Sequence, residues 1–266
     1  MPIGICKLCL KSKELQLSHG LPRSLFKKLR SQGKRNNDPC IVTAREFRRS
    51  SWQYTDYVFC KECEGRFNDC GENYVMRMLP GKTRFPLLEV LDNARPFRQG
   101  PGWKAYRALD TPSIDRTQLA YFAISVFWRA SAHTWTLNGR GPIQIDLGSE
   151  YNDKLRRYLL GETSVPPQAN LSVSVCTDLM SRKLMNPPTA HETHRPRSFG
   201  FLACGVDFDF CISKTAPSWA QRLSLMTKPD QIIISYDGEK YPKWHIKMGS
   251  EDQAALRRSM EAFNCS

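Results

Sequence analysis

The chain has 266 residues and a hydrophobic fraction of 41%, enough for one large domain or two modest ones with a packed core. No stretch reaches the roughly 18 consecutive apolar residues of a membrane span, and the N-terminal MPIGICKLC lacks the apolar run of a signal peptide, so a cytoplasmic protein with no membrane partner is expected. The formal net charge is +13, and it is uneven: residues 1–110 hold 21 Lys and Arg against 11 Asp and Glu, and the remainder 18 against 15. A basic excess in the first section suggests a phosphate-bearing partner, because Lys and Arg gain affinity there by releasing condensed counterions.

The first section, residues 1–80, opens on the pair Cys6 and Cys9. Leu15 and Leu17 then alternate with polar residues as in a short strand, and Gly20-Leu21-Pro22 turns the chain away. His19 is left at a strand end, where a side chain can project into a cleft. Leu25, Phe26 and Leu29 interleave with Arg23, Lys27, Lys28 and Arg30, which predicts a short helix with one apolar and one basic side; Lys34 and Arg35 follow it. Such residues can position a phosphate backbone without reading sequence, although a solvated charged face explains them as well. The insert SQGKRNNDPC has loop composition. The second pair, Cys60 and Cys63, is followed at once by Glu64. A helix starting near Cys60 sets Glu64 and Asn68 one turn apart, with Glu72 continuing that face.

Between 81 and 112, Pro86, Pro96, Pro101 and Pro112 with Gly81, Gly100 and Gly102 predict a connector with little regular structure, and the domain boundary is placed there. Beyond it, residues 113–266 read as a mixed α/β domain. Leu119, Phe122, Ala123, Val126, Phe127 and Ala130 fall at helical spacing over 115–133, with Asp115 as the cap. Arg129 on this helix would anchor an interface or a carboxylate. The alternating IQIDL predicts a strand at 143–147, and a helix over about 150–160 ends at Gly161. LSVSVC, FGFLACGVDFDF and QIIISYDG predict further strands, NPPTAHETHRPRS a loop, and 252–263 a last short helix. His191 and His194 form H-x-x-H, but the flanking prolines argue against the helix that metal binding would need. His133 and His245 stand near Trp or apolar residues and read as structural.

Ten cysteines without a secretion signal argue for reduced thiols. Cys40, Cys70, Cys176, Cys204, Cys211 and Cys265 have no paired spacing and are taken as core or incidental. Two C-x-x-C pairs about fifty residues apart can close a four-thiolate site for structural zinc, with sulfurs at about 2.3 Å.

A C-x-x-C, a strand ending in His before Pro, a loop, and a second C-x-x-C with a polar residue directly after it resemble the zinc-containing HNH, or ββα-metal, nucleases. KLCLKSKELQLSHGLPRSLFKKL with FCKECEGRFNDCGE is similar to a bacterial subgroup in which SH replaces the usual DH or EH. The resemblance covers residues 1–80 and implies an α+β fold, with a zinc-stapled ββα-metal domain ahead of the mixed α/β one. It implies His19 as general base, Glu64 as ligand of a catalytic Mg²⁺ or Mn²⁺, Glu72 as a further ligand, and Cys6, Cys9, Cys60 and Cys63 on structural zinc. Where the family keeps Asp or Glu before the base this chain has Ser18, and Glu64 stands where it keeps Asn or His.

A neutral imidazole near its ordinary pKa of about 6.5 can take a proton from water attacking a phosphodiester, and a carboxylate-held divalent cation can stabilise charge on the phosphate oxygens. A four-thiolate zinc has no open position for this role. The expected function is therefore a metal-dependent HNH-like endonuclease acting on DNA, with an activating protein partner considered and defence against phage or foreign DNA implied by the family's usual company. The competing reading is a non-catalytic, zinc-stabilised nucleic-acid-binding or adaptor protein.

Overall fold

A computed structural model describes residues 1–31, 40–42, 47–49, 53–137, 140–179, 181–191, 197–213, 223–226 and 231–237. Lys34, Arg35, most of the SQGKRNNDPC insert, His194, His245, Cys265 and the helix expected at 252–263 lie outside the described residues.

The first section contributes β1 (Ile3–Ile5), β2 (Ser12–His19), α1 (Arg23–Ser31), β3 (Cys40–Val42), β4 (Phe47–Arg49), β5 (Thr55–Cys60) and α2 (Lys61–Phe67). A π-helical turn, Asn68–Glu72, runs from α2 directly into α3 (Asn73–Met78). Next come α4 (Pro86–Asp92), β6 (Arg98–Gly100), β7 (Trp103–Tyr106) and α5 (Arg116–Ala132). The last section supplies β8 (Trp135–Leu137), β9 (Arg140–Ile143), α6 (Ser149–Leu159), β10 (Ala169–Cys176), β11 (Leu184–Ala190), β12 (Arg197–Ala203), β13 (Val206–Ile212) and β14 (Ile233–Tyr236).

Helices and sheets together make a mixed α+β protein. Among the described residues a small antiparallel sheet has the order β1-β2-β5, and a nine-stranded mixed sheet runs β4-β3-β11-β12-β13-β10-β14-β7-β6. Both outer pairs of the large sheet come from sequence read as something else. Strands β3 and β4 belong to the N-terminal section, with β3 parallel to β11. The expected connector holds α4, which starts with Pro86 in its first turn, and the hairpin β6–β7, which turns through Pro101 and Gly102 with Gly102 at φ 73°. Its prolines and glycines are helix-start and turn residues rather than linker residues.

Two expected elements fall elsewhere. IQIDL is not one strand, because β9 stops at Ile143 and the Ile145 N–H bonds the Ala130 carbonyl of α5 at 3.1 Å. The alternation recorded burial: Ile143, Ile145 and Leu147 are all in the core. NPPTA, read as loop, is most of β11, whose register against β12 shifts between Asn186 and Thr189, across Pro187 and Pro188. A bulge is where a sheet can accommodate residues that lack an N–H.

Helix α5 is the axis of the molecule. Asp115 caps it, accepting from the Gln118 N–H at 3.0 Å, and from Leu119 to Ala130 every residue is buried. A helix apolar on every side must be covered on every side. One flank meets the large sheet, where Phe122 and Phe127 pack on Phe201, Phe208 and Phe210 at centroid distances of 5.0 to 6.1 Å. The other meets the N-terminal section, where Trp128 packs near Phe59 and Phe67. One hydrophobic cluster thus runs from Cys6 to Ile233, so the expected sections share a core.

On that flank the chain meets the α5 backbone at Gly71, where a Cβ would stand 2.8 Å from the Phe122 backbone nitrogen and 3.1 Å from the Gln118 carbonyl oxygen. Backbone cannot yield as a side chain tip does. Gly71→Ala should lower unfolding free energy by about 1–3 kcal/mol in urea denaturation, and unchanged stability would show that the helices slide apart at no cost.

Candidate functional site

The N-terminal section is a strand pair feeding a helix. Strand β2 pairs antiparallel with β5 from Leu15 opposite Cys60 to His19 opposite Thr55, with a register shift between Gln16 and Leu17, and α2 follows with Cys60 as its N-cap residue. At one end of this unit are the cysteines. The Cys6-to-Leu10 turn closes with Leu10 in the left-handed region at φ 58°, its N–H on the Cys6 carbonyl at 2.8 Å. This brings Cys6 and Cys9 onto Cys60 and Cys63, and the four sulfur atoms lie within 4.8 Å of one another.

The geometry fits a metal ion. A tetrahedral site with sulfurs at about 2.3 Å has edges of about 3.8 Å, and the Cys9 and Cys60 sulfurs are 3.9 Å apart. One of the four, Cys6, is already favoured as a thiolate. A hydrogen bond from Cys63 and backbone amides, including the Cys60 N–H at 3.4 Å, bring the Cys6 thiol down to about 4. Sharing that hydrogen bond pushes Cys63 up, while burial pushes Cys60 up to about 11. Among the described residues no other group of three or more His, Cys, Asp or Glu side chains is close enough to hold a metal. Cys176, Cys204 and Cys211 are buried, as expected of core residues. His191 instead pairs with Asp209, Nε2 to Oδ1 at 3.1 Å.

At the other end stands His19, half-buried. The Gly20 N–H bonds the Tyr54 carbonyl at 2.9 Å, and a Cβ on Gly20 would lie 2.8 Å from the Trp135 ring, so only glycine lets the strand end pass beneath that indole. Burial lowers the His19 pKa, with the positive charges of Arg23 and Arg129 acting in the same direction; Glu72 and a hydrogen bond with Gln53 oppose them. The imidazole is therefore held neutral.

Glu64 and Glu72 reach the same region from the α2 side. Glu64 is raised by burial, opposed by Arg129 and Ser18 and reinforced by Glu72, and its buried Oε1 has no hydrogen-bond partner. Glu72 is buried and ion-paired with Arg129. Asn68, by contrast, is exposed, so the continuous face expected for Glu64, Asn68 and Glu72 is broken. The π-helical turn at 68–72 is the cause, since it places an extra residue in the turn and rotates the residues after it. Ser18 is fully buried and accepts the Phe59 N–H of β5 at 3.0 Å.

Arg129 joins these groups. Its guanidinium is 2% exposed, pairs with Glu72, reaches the His19 carbonyl at 3.5 Å and lies 4.0 Å above the Phe67 ring. The signal for it in the sequence was a charge inside the apolar run FAISVFWRAS, because a charged side chain on a buried helix needs a buried partner. Gln53 and the effect of Arg23 on His19 had no such signal.

Helix α1 has the expected two sides, with Leu25, Phe26 and Leu29 buried and Arg23, Lys27 and Arg30 exposed. Lys28 instead reaches the Leu79 carbonyl at 3.5 Å and ties α1 to the end of α3. An open groove of about 410 Å³ lined by Arg84, Glu89, Asn93 and Asp110 contains none of the catalytic, metal-binding or phosphate-binding residues expected from the sequence. Its Arg84–Glu89 pair is exposed and already satisfied, so the enclosed polar cluster around His19 is the stronger candidate. No family model matches the chain, and no curated protein or solved structure does so either.

Two measurements check this site. Elemental analysis should find about one zinc per chain, lost in Cys63→Ser; full zinc content in that variant would exclude the four-cysteine site. In an NMR titration the His19 ring should have its midpoint below the ordinary value of about 6.5. Because the unfolded chain then binds this proton more strongly than the folded one, His19 lowers stability as pH falls below about 6.5. A midpoint at or above that value would mean that burial does not control the imidazole.

Proposed function

We propose that residues 1–80 form an HNH-like nuclease unit, in which zinc on Cys6, Cys9, Cys60 and Cys63 staples the β2–β5 strand pair to α2, and that the protein hydrolyses DNA phosphodiesters. One observation carries the reading: His19 from the strand end and Glu64, directly after Cys63 in α2, both feel the charges of the same buried Glu72–Arg129 pair.

In this reading neutral His19 takes the proton from the attacking water at its ring nitrogen, and Gln53 orients the ring. Arg23, Lys27 and Arg30 on the exposed face of α1, which begins four residues after His19, hold the phosphate backbone without reading its sequence. The unpaired Oε1 of Glu64 is the acceptor that would hold a Mg²⁺ or Mn²⁺ ion. When bound, that ion supplies charge stabilisation on the phosphate oxygens.

The competing reading, a zinc-stabilised nucleic-acid-binding or adaptor protein without turnover, has one observation in its favour: the Glu72 carboxylate is already neutralised by Arg129. Plasmid DNA incubated with Mg²⁺ or Mn²⁺ separates the two. Wild type should nick it, and His19→Ala should lose about 100-fold or more in rate, the scale of a general base. Equal cleavage by both would remove His19 as the base. DNA binding without cleavage would favour the adaptor. Glu64→Gln should weaken the metal dependence, and an unchanged metal response would place the cation elsewhere.

A further inference from the structure

We propose that Arg129 is the positioning residue of the His19 site: a single guanidinium ties the carbonyl at the end of β2 to the Glu72 carboxylate, so that helix α5 sets where the imidazole stands. The inference gives a role to a residue outside the proposed nuclease unit, and its catalytic consequence rests on the nuclease reading.

Nη1 of Arg129 lies 3.5 Å from the His19 carbonyl oxygen and Nη2 meets Glu72 Oε1, so the planar fork spans two acceptors carried by different elements. The Phe67 ring, 4.0 Å below the guanidinium, fixes its plane. The same residue also acts through its backbone, since its carbonyl accepts the Trp135 indole N–H at 2.8 Å and the Trp135 ring rests on Gly20, the residue after His19. Side chain and main chain of Arg129 therefore hold the strand end from two directions. A lysine has one compact ammonium and cannot reproduce a planar two-ended bridge. The buried Nε of Arg129 has no hydrogen-bond partner, an arrangement suited to placing two groups and poorly suited to maximising hydrogen bonds.

The test uses full-length chain with labelled histidine and the variants Arg129→Lys, Arg129→Met and Glu72→Gln. The His19 ring cross-peak should move in all three, while that of His191, which is paired to Asp209 on the large sheet, stays in place and zinc content holds. With plasmid substrate kcat should fall about 100-fold, the cost of roughly 1 Å of misplacement, with KM unchanged. A His19 cross-peak unmoved in folded Arg129→Met and Glu72→Gln would overturn the proposal, as would full rescue by Arg129→Lys. If Arg129→Met loses its zinc and fails to fold, Glu72→Gln decides alone, because it keeps the shape and removes the charge. A wild type that never cleaves, with a His19 cross-peak that still moves, would sink the nuclease reading and leave the positioning role standing.

Discussion

A guanidinium 2% exposed to solvent, in the last turn of a helix whose residues 119 to 130 are all buried, is the constraint around which this molecule is arranged. Taking a charged pair out of water costs several kcal/mol per ion after relaxation, and the attraction between the partners often does no more than offset it. Removing one partner would strand the other, so Arg129 and Glu72 are obligatory to each other. Such a pair is weak evidence for stability and better evidence for placement. Here it fixes the π-helical turn that ends at Glu72 against α5.

The packing around the pair is a consequence of that placement. Gly71 precedes Glu72, and its missing Cβ lets the π-helical turn approach α5 to backbone contact, close enough for Arg129 to reach the carboxylate. Phe67 lies 4.0 Å from the guanidinium, both charged side chains are buried, and Phe59, Trp128 and Trp135 belong to the same aromatic cluster. Excluding water lowers the local dielectric and so strengthens every charge inside. That is why one arginine can depress His19 and oppose the burial of Glu64 at the same time. A site built this way responds as a unit, and a change at Glu72 is felt at both other groups.

Local chemistry was legible in the sequence, and non-local pairing was not. The Cys pairs, the strand end at His19, the two-sided α1, the Asp115 cap and the Gly161 stop each depend on residues within a few positions of one another, and each stands close to where spacing put it. Strands β3 and β7 are three and four residues long and acquire their identity from β11 and β14 in distant sequence, with the short β4 and β6 added to them as hairpin partners. Pro187 and Pro188 hid β11, since proline argues against a strand unless a bulge receives it. The same limit applies to the site. Helical spacing joined Glu64 to Asn68 correctly by count, but no spacing rule anticipates a π-helical turn, and Gln53 is meaningful only once it meets His19.

Ser18 shows how the site's charge is balanced. The cluster encloses Glu64 and Glu72 with one guanidinium to face them. A carboxylate at position 18 would be fully buried, since Ser18 has no exposed surface, and it would lie beside Glu64, whose carboxyl burial already pushes up. Like charges in an enclosed space raise one another's pKa until one of them takes a proton, so a third acid would arrive neutral or drive the strand and helix apart. A serine avoids this: its hydroxyl takes the Phe59 N–H, keeps β5 in register and lies near enough to Glu64 to favour its ionised form. With Ser18 in place and Arg129 against Glu72, the carboxyl oxygen of this cluster left without a hydrogen-bond partner is Oε1 of Glu64. The proposed cation would therefore meet one protein carboxylate here, and a hard divalent ion completes its shell with further oxygen ligands such as water.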